Sequence, residues 1–261
     1  MLRWLTAITG LHLTLAAGVA AAGCFPVAER DASPRLADTT VGSVPADATV
    51  TISFLGHASF LLESREGITA ITDYNGMWRA AEPPRIVTMN NSHSTHFTDV
   101  VEPEIEFVLR GWNPEGGLAE HDVVVDDMRV RNVPTSVRGR ADWNANSNSI
   151  FVFEIDDLCV AHLGHLHHPL TDQHLGELGL IDILLVPVDG MWTMPQPVAI
   201  QVIEQVRPSV VIPMHYFGES VLASFLALLP DDWSVQRAAG STVGFTRQTL
   251  PFREVLVLQG Y

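Results

Sequence analysis

The chain has 261 residues and a formal net charge of −15, and all fifteen of its basic residues are arginine. An acidic surface of this kind argues against nucleic acid or an anionic membrane as the main partner. The lack of lysine excludes a Schiff-base lysine and a phosphate-binding P-loop.

The N-terminal segment has the pattern of an export signal. Met1-Leu2-Arg3 is followed by an uncharged apolar stretch over residues 4–22, and small residues precede Cys24. This pattern predicts a signal peptide over residues 1–24 of the bacterial lipoprotein type, in which Cys24 carries a lipid anchor. The alternatives are a secretory signal cleaved near Ala22, which releases the protein into the periplasm, and a retained membrane anchor. All three interpretations place the rest of the chain in the cell envelope, facing the periplasm or the exterior.

The remainder of the chain divides into a short linker and one domain. Residues 25–48 are rich in Pro, Ala, Asp, Arg and Thr, which predicts a flexible tether. Residues 49–261 have the length of a single α/β domain with a sizeable core. The sequence has two cysteines, so lipidation of Cys24 would leave Cys159 as a free, buried thiol.

The domain begins with strand patterns and continues with alternating strands and helices. Residues 49–73 predict antiparallel strands with a tight turn at Glu66-Gly67. The later predicted strands cover residues 86–89, 122–133, 149–155, 158–162, 181–188, 210–214 and 243–258, and the predicted helices cover residues 171–178, 197–206 and 219–229. This order favours two sheets packed face to face with helices outside, although a three-layer α/β fold would have the same pattern.

Three groups of residues rich in histidine each follow a short apolar run that is typical of a β-strand. The groups are Asn91–His96, His162–His168 and Pro213–Tyr216. Strand ends at a shared sheet edge can bring such distant residues into one pocket, and imidazole is the commonest protein ligand for zinc. The pattern therefore predicts a metal site built from loops at one edge of a sheet.

These groups, together with Leu55–Leu61, Ile71–Asp73 and Leu184–Gly190, resemble the landmarks of the metallo-β-lactamase fold superfamily. Within it, the chain looks most like the branch similar to the ascorbate-6-phosphate lactonase and related metal-dependent hydrolases. The resemblance implies an α/β (α+β) fold, a four-layer αββα sandwich with the site at one edge of the sheets.

The resemblance also implies a set of metal ligands, with departures from the usual motif. The superfamily usually carries a His-x-His-x-Asp-His motif, and here Asn91 stands for the first histidine and Thr95 for the aspartate. The ligands that the resemblance implies are His93, His96, His162 and His215. His165 replaces a residue of another type and is added as a candidate ligand.

The histidine at position 165 affects the expected number of metal ions. His165 stands where the superfamily has a bridging aspartate, and two neighbouring cations need an anionic bridge to offset their repulsion. We therefore expect one metal ion, and we expect it to be zinc. Imidazole ligands also suit iron, manganese and nickel.

Two aspartates and a histidine are the candidate catalytic residues. Asp73 follows an early strand and Asp189 ends an apolar strand, so either carboxylate is placed to orient a ligand or to handle a proton. A simple turn role explains Asp189 equally well. His168 is a candidate to donate a hydrogen bond to a substrate oxyanion. The residues expected to support the metal ligands are His57, Asn91, Thr95 and Tyr216.

Taken together, these residues predict a metal-dependent hydrolase. It would use a metal-activated water to cleave an ester, a lactone or a phosphodiester in a small-molecule substrate. The alternative is a non-catalytic, metal-binding lipoprotein of the envelope, because the loss of acidic ligands also fits a site that binds a metal without turnover.

Overall fold

The computed structural model describes residues 23–24, 44–139 and 142–260. Most of the predicted signal segment (residues 1–24) and of the predicted tether (residues 25–48) therefore lies outside the described residues. Within the described ranges, no helix has both the length and the apolar character needed to cross a membrane.

Six strands form the first sheet, in the order β13-β1-β2-β3-β4-β5. Strand β1 alternates buried and half-buried residues, because one face of this sheet packs on the core. Neighbouring strands are antiparallel from β13 to β3 and parallel from β3 to β5. The strands are β1 (Val50–Gly56), β2 (Ser59–Ser64), β3 (Thr69–Ile71), β4 (Ile86–Met89), β5 (Phe107–Arg110) and β13 (Thr242–Phe245).

Eight strands form the second sheet, in the order β12-β14-β11-β10-β9-β8-β7-β6. The central strands β9, β10 and β11 run parallel and are buried at every position, as expected of strands covered on both faces. The strands are β6 (Asp122–Val125), β7 (Met128–Arg138), β8 (Trp143–Ile155), β9 (Leu158–His162), β10 (Ile183–Pro187), β11 (Val210–Met214), β12 (Ser234–Arg237) and β14 (Glu254–Val257).

The described residues include three α-helices, α1 (Asp172–Leu178), α2 (Gln196–Val206) and α3 (Glu219–Leu226). Helix α1 begins where the sequence predicts, because the Thr171 side chain accepts a hydrogen bond from the His174 backbone N–H and so satisfies a free donor of the first turn. Helices α1 and α2 are the crossovers that connect β9 to β10 and β10 to β11.

The apolar side chains form three clusters that define the layers. The first lies between the two sheets and includes Phe60 and Phe153. The second lies between the eight-stranded sheet and the helices, and it joins Leu184 of β10 to Val202 of α2. In the third, non-helical segments contribute residues such as Trp112 that pack on the outer face of the six-stranded sheet. The two-sheet sandwich predicted from the sequence is therefore confirmed.

A disulfide joins Cys24 to Cys159 of β9, and it corrects one expectation from the sequence. Both cysteines are fully buried in the cluster beneath the helices, and the Leu180 backbone N–H donates to the Cys24 carbonyl at 2.6 Å. In this structure Cys159 is therefore not the free thiol that lipidation of Cys24 would leave. A sulfur in this disulfide is not available for attachment of a lipid, so the disulfide and a lipid anchor at Cys24 exclude each other.

The topology brings several functional segments to one edge of the sandwich. Parallel strands β9, β10 and β11 end on the same side, which places their following loops together. The loop after β4 reaches this edge from the other sheet, and a single β-bridge between Asn91 and Asn148 connects the two sheets there. Residues more than 100 positions apart in the chain therefore meet at this edge.

Candidate metal centre

Three histidines converge at this edge and form what we call the three-histidine centre: His57, His96 and His215. Their nearest ring nitrogens all lie within 4.8 Å of one another. His57 follows β1, His96 lies in the loop after β4, and His215 immediately follows β11. The His215 backbone N–H donates to the His57 carbonyl at 2.8 Å, which ties the two sheets together at the centre.

A buried carboxylate orients each of two rings in the centre. His96 Nδ1 lies 2.5 Å from Asp73 Oδ2, and His215 Nδ1 lies 3.1 Å from Asp189 Oδ1. An ionised carboxylate only accepts hydrogen bonds, so each Nδ1 carries the proton and each Nε2 keeps a free lone pair. This carboxylate–imidazole pairing is the arrangement that supports histidine ligands in metal sites.

Unpaired atoms show that these residues fit a cation. Nε2 of His57 and Nε2 of His96 are buried and have no hydrogen-bond partner. Buried polar atoms without a partner are rare in proteins, because each one costs the free energy of its lost hydration. A cation bound between these nitrogens would satisfy them, so the three-histidine centre fits a metal ion.

The electrostatics of the site favour a neutral His57 beside an ionised Asp189. Burial, together with the neighbouring His215 and His96, lowers the pKa of His57 to about 4. Burial alone would raise the pKa of Asp189, but hydrogen bonds from His215 and Thr193 outweigh it and hold that pKa below its ordinary value. Metal ligands must be deprotonated, so His57 is ready to bind a cation at neutral pH.

Asp73 has the same balance of effects around its carboxyl group. Burial acts to raise the pKa of Asp73, whereas the charge and hydrogen bond of His96 lower it, and the net pKa lies below its ordinary value. Asp73 Oδ1 is buried and has no hydrogen-bond partner. This carboxylate is therefore ionised at neutral pH and keeps one oxygen free.

The backbone is unusual at three of these residues. His57, Asp73 and His215 have φ angles of 55°, 52° and 54°, in the left-handed region that glycine prefers. Such conformations cost about 1–2 kcal/mol for an ordinary residue. They persist at functional sites when the surrounding structure holds them, as the buried hydrogen bonds do here.

Two more of the predicted ligands, His165 and His93, border the centre. The His165 ring lies 4.6 Å from the His96 ring, its Nδ1 is buried without a partner, and burial lowers its pKa to about 2. His93 is exposed, with its ring 5.9 Å from the His96 ring, and its Nδ1 lies 2.9 Å from the Thr95 hydroxyl. Asn91 donates to the Ser147 carbonyl at 2.6 Å and thereby anchors this loop.

The structure gives other hydrogen-bond partners to His162, a predicted ligand, and to His168, the predicted donor to a substrate oxyanion. His162 is fully buried, and both of its ring nitrogens are used: Nε2 donates to the Ala58 carbonyl at 2.7 Å and Nδ1 accepts from the Gly164 N–H at 3.1 Å. His168 Nδ1 donates to the Pro169 carbonyl and its Nε2 accepts from the Ser136 N–H. These bonds leave neither ring a free nitrogen.

Sequence reasoning placed His57 outside the ligand set and missed Thr193. His57 shares the centre with His96 and His215, and the break in the strand pattern at Gly56-His57 was the available signal. The Thr193 hydroxyl donates to Asp189 Oδ1, and no sequence motif marks it.

A cleft of about 640 Å³ opens beside the centre. His57 and His215 form part of its wall, and so does Tyr216, which the sequence suggested as a supporting residue. The cleft therefore lies next to the three-histidine centre.

Comparison with known proteins identifies the family. A family model described as a β-lactamase superfamily domain matches residues 51–215, which is more than half of the chain. The chain belongs to the β-lactamase superfamily. This match contains all three histidines of the centre and both of the carboxylates that orient them.

Individual relatives are similar to this chain over most of their own length. A metal-dependent hydrolase of Carboxydothermus hydrogenoformans is 26% identical over 236 residues, which cover 79% of this chain and 99% of that relative. One from Thermococcus kodakarensis is 24% identical over 189 residues, covering 64% of this chain and 84% of that relative. A Thermotoga maritima structure described as a Zn-dependent hydrolase of the metallo-β-lactamase superfamily aligns with a TM-score of 0.57 and 26% identity, over 80% of this chain and 100% of that one.

These comparisons confirm the superfamily and the two-sheet sandwich fold that the sequence implied. Among the described residues, helices cover the eight-stranded sheet, whereas non-helical segments cover the outer face of the six-stranded sheet. The narrower resemblance to the ascorbate-6-phosphate lactonase branch stays a prediction.

Proposed function

We propose that the chain is a metal-dependent hydrolase that cleaves an ester, a lactone or a phosphodiester in a small molecule. The observation that carries this proposal is the three-histidine centre, with its unpaired buried nitrogens and its two orienting carboxylates. The relatives named above are described as metal-dependent hydrolases, and this description agrees with the class of enzyme that the sequence predicts.

His57, His96 and His215 would hold one divalent cation. A cation at such a site polarises the bond to be cleaved and lowers the pKa of a water molecule. The chain's own residues then have separate tasks. Asp189 and Asp73 keep the rings of His215 and His96 in the tautomer whose Nε2 is free, and Asp73 Oδ1, which has no donor, is available to accept a proton.

A single cation agrees with the chemistry of the donor set. The three ligand positions are imidazoles, and each of the two carboxylates uses one oxygen on the Nδ1 atom of an imidazole. The group of converging ligand atoms among the described residues contains no carboxylate, so it does not supply the anionic bridge that a second neighbouring cation would need. We propose zinc as the metal, because three imidazoles form a well-known catalytic zinc site.

The proposed location is an oxidising compartment outside the cytoplasm, with the chain not lipidated. The Cys24–Cys159 disulfide supports this location, because disulfides persist where thiols are not kept reduced. Secretion after signal cleavage is compatible with the disulfide, whereas a lipid on Cys24 is not. The intact mass of the exported protein tests this: it should equal the cleaved chain with no lipid, and an added diacylglycerol mass would refute it.

Hydrolysis assays on the purified full chain test the function. The protein is offered p-nitrophenyl acetate, a δ-lactone and bis(p-nitrophenyl) phosphate, with and without a chelator, while elemental analysis measures metal per chain. We expect one metal ion per chain and chelator-sensitive hydrolysis of at least one substrate. His96→Gln should lose both the metal and the activity, whereas His121→Gln, a control histidine that bonds the Arg110 carbonyl, should keep both. Activity that survives chelation and the loss of His96 would refute the proposal.

A further inference from the structure

The cleft shares two histidines with the three-histidine centre, and one exposed aromatic ring lies near both of them. His57 and His215 line both. The Phe217 ring lies 5.7 Å from the His57 ring and 5.6 Å from the His215 ring, yet 64% of the Phe217 side chain is exposed. Phe217 therefore lies in the cleft wall beside the two histidines that the cleft shares with the centre.

Several apolar side chains form part of the cleft wall. They include Phe54, Trp78 and Leu258. The Trp78 ring packs directly on the backbone of Gly56, where a Cβ atom would lie 2.5 Å from the ring. The Asn75 side-chain oxygen accepts hydrogen bonds from the backbone of residues 77 and 78, which holds this loop. These side chains therefore give one part of the cleft a preformed apolar wall.

The charges in the cleft cancel one another. Among the described residues that line it, Arg237 carries the one guanidinium group, and this group forms an ion pair with Glu219 on the same wall. Recognition of a phosphate relies on cationic donors that are free to pair with it. The net charge of −15 on the chain opposes anionic ligands further. The cleft therefore suits an uncharged ligand.

We propose that this cleft binds the apolar acyl group of a neutral carboxylic ester or lactone, with Phe217 as a residue that determines specificity. The inference rests on the proposed hydrolase function and chooses among its three classes of bond: it favours the ester and the lactone over the phosphodiester. Burial of each additional methylene group in such a cleft strengthens binding by up to about fourfold.

Binding is measured first, so that the result does not depend on turnover. Isothermal titration of the full chain with octanamide and with acetamide compares two neutral, non-hydrolysed probes that differ in chain length. We expect octanamide to bind at least about 50-fold more tightly, as if half of its six additional methylenes were buried. Phe217→Ser should weaken octanamide binding several-fold. Phe252→Ser is the matched control, because Phe252 is 68% exposed and does not line the cleft.

Hydrolysis is measured second, with p-nitrophenyl octanoate, p-nitrophenyl acetate and bis(p-nitrophenyl) phosphate. We expect kcat/KM to be highest for the octanoate and the octanoate-to-acetate ratio to fall in Phe217→Ser but not in Phe252→Ser. Equal binding of the two amides, equal losses in the two variants, or faster cleavage of the phosphodiester would overturn the inference. Tight octanamide binding without any hydrolysis would support the apolar specificity of the cleft and count against the proposed hydrolase function alone.

Discussion

Replacement of Asp189 by asparagine tests how the second carboxylate prepares the three-histidine centre. The carboxylate is 7% exposed and accepts five hydrogen bonds: from His215 Nδ1 at 3.1 Å, from the Thr193 hydroxyl, and from the backbone N–H groups of residues 191, 192 and 193. Asparagine keeps one of the two oxygens, so its amide nitrogen must face at least two of these donors.

The structure gives the size and direction of two effects in Asp189→Asn. Hydrogen bonds to a charged group contribute about 1.5–3 kcal/mol each, so the loss of two lowers the free energy of unfolding by about 3–6 kcal/mol. If the amide nitrogen turns towards His215, it donates to Nδ1 and moves the ring proton to Nε2, where it blocks a cation. We expect metal affinity to fall about 10–100-fold.

Urea unfolding and competition with a chromophoric chelator measure these two effects separately. Asp182→Asn is the matched control: Asp182 is 5% exposed and accepts hydrogen bonds from the Cys159 N–H and from Arg247. This control should lose stability and keep the metal affinity of the unaltered chain. If Asp189→Asn loses stability but keeps its metal affinity, as the control should, then the Asp189 carboxylate does not set the tautomer of His215.

Three further predictions concern pH, the disulfide and the proton acceptor. Because the pKa of His57 falls from 6.5 in the unfolded chain to about 4, the unfolded state binds more protons at this position, and His57 should account for about 1–2 kcal/mol of the stability that metal-free protein loses as pH falls from 6.5 to 4. Other buried histidines act in the same direction, so this contribution is the difference between the unaltered chain and His57→Gln, and equal losses in the two proteins would contradict it. Reduction of the Cys24–Cys159 disulfide, which spans 135 residues, should cost about 5 kcal/mol and lower the Tm, whereas Cys24→Ala should not respond to reductant. Asp73→Asn should lower kcat by about 10²–10⁴-fold in metal-loaded protein, and retention of full kcat would remove Asp73 as the proton acceptor.

The local elements of the fold could be predicted because their signals are local. Residues 171–178 predict α1, whose start is capped by Thr171, and the continuous apolar run at residues 181–188 predicts the buried strand β10 (Ile183–Pro187). Helix α3 ends at Leu226, three residues before its predicted end at Leu229. The position of a helix end depends on tertiary packing as well as on propensity, which limits such a prediction.

The details of the site depended on contacts that no local pattern contains. His162 belongs to a histidine group, but a hydrogen bond to Ala58, 104 residues away, uses its Nε2. His57 stands alone in the sequence and reaches the centre only because the two sheets pack together. The disulfide between Cys24 and Cys159 joins residues 135 positions apart, and a lipoprotein-type signal suggested another fate for Cys24.

The left-handed backbone at His57 has a consequence for the evolution of this enzyme class. Glycine adopts a φ of 55° without the steric cost that histidine bears, and it would also remove the unpaired buried Nε2 atom. A library screened only for heat resistance should therefore enrich glycine at position 57. The variants selected in this way should have the lowest affinity for a cation. Selection for heat resistance therefore favours glycine at position 57, whereas selection for metal binding favours histidine.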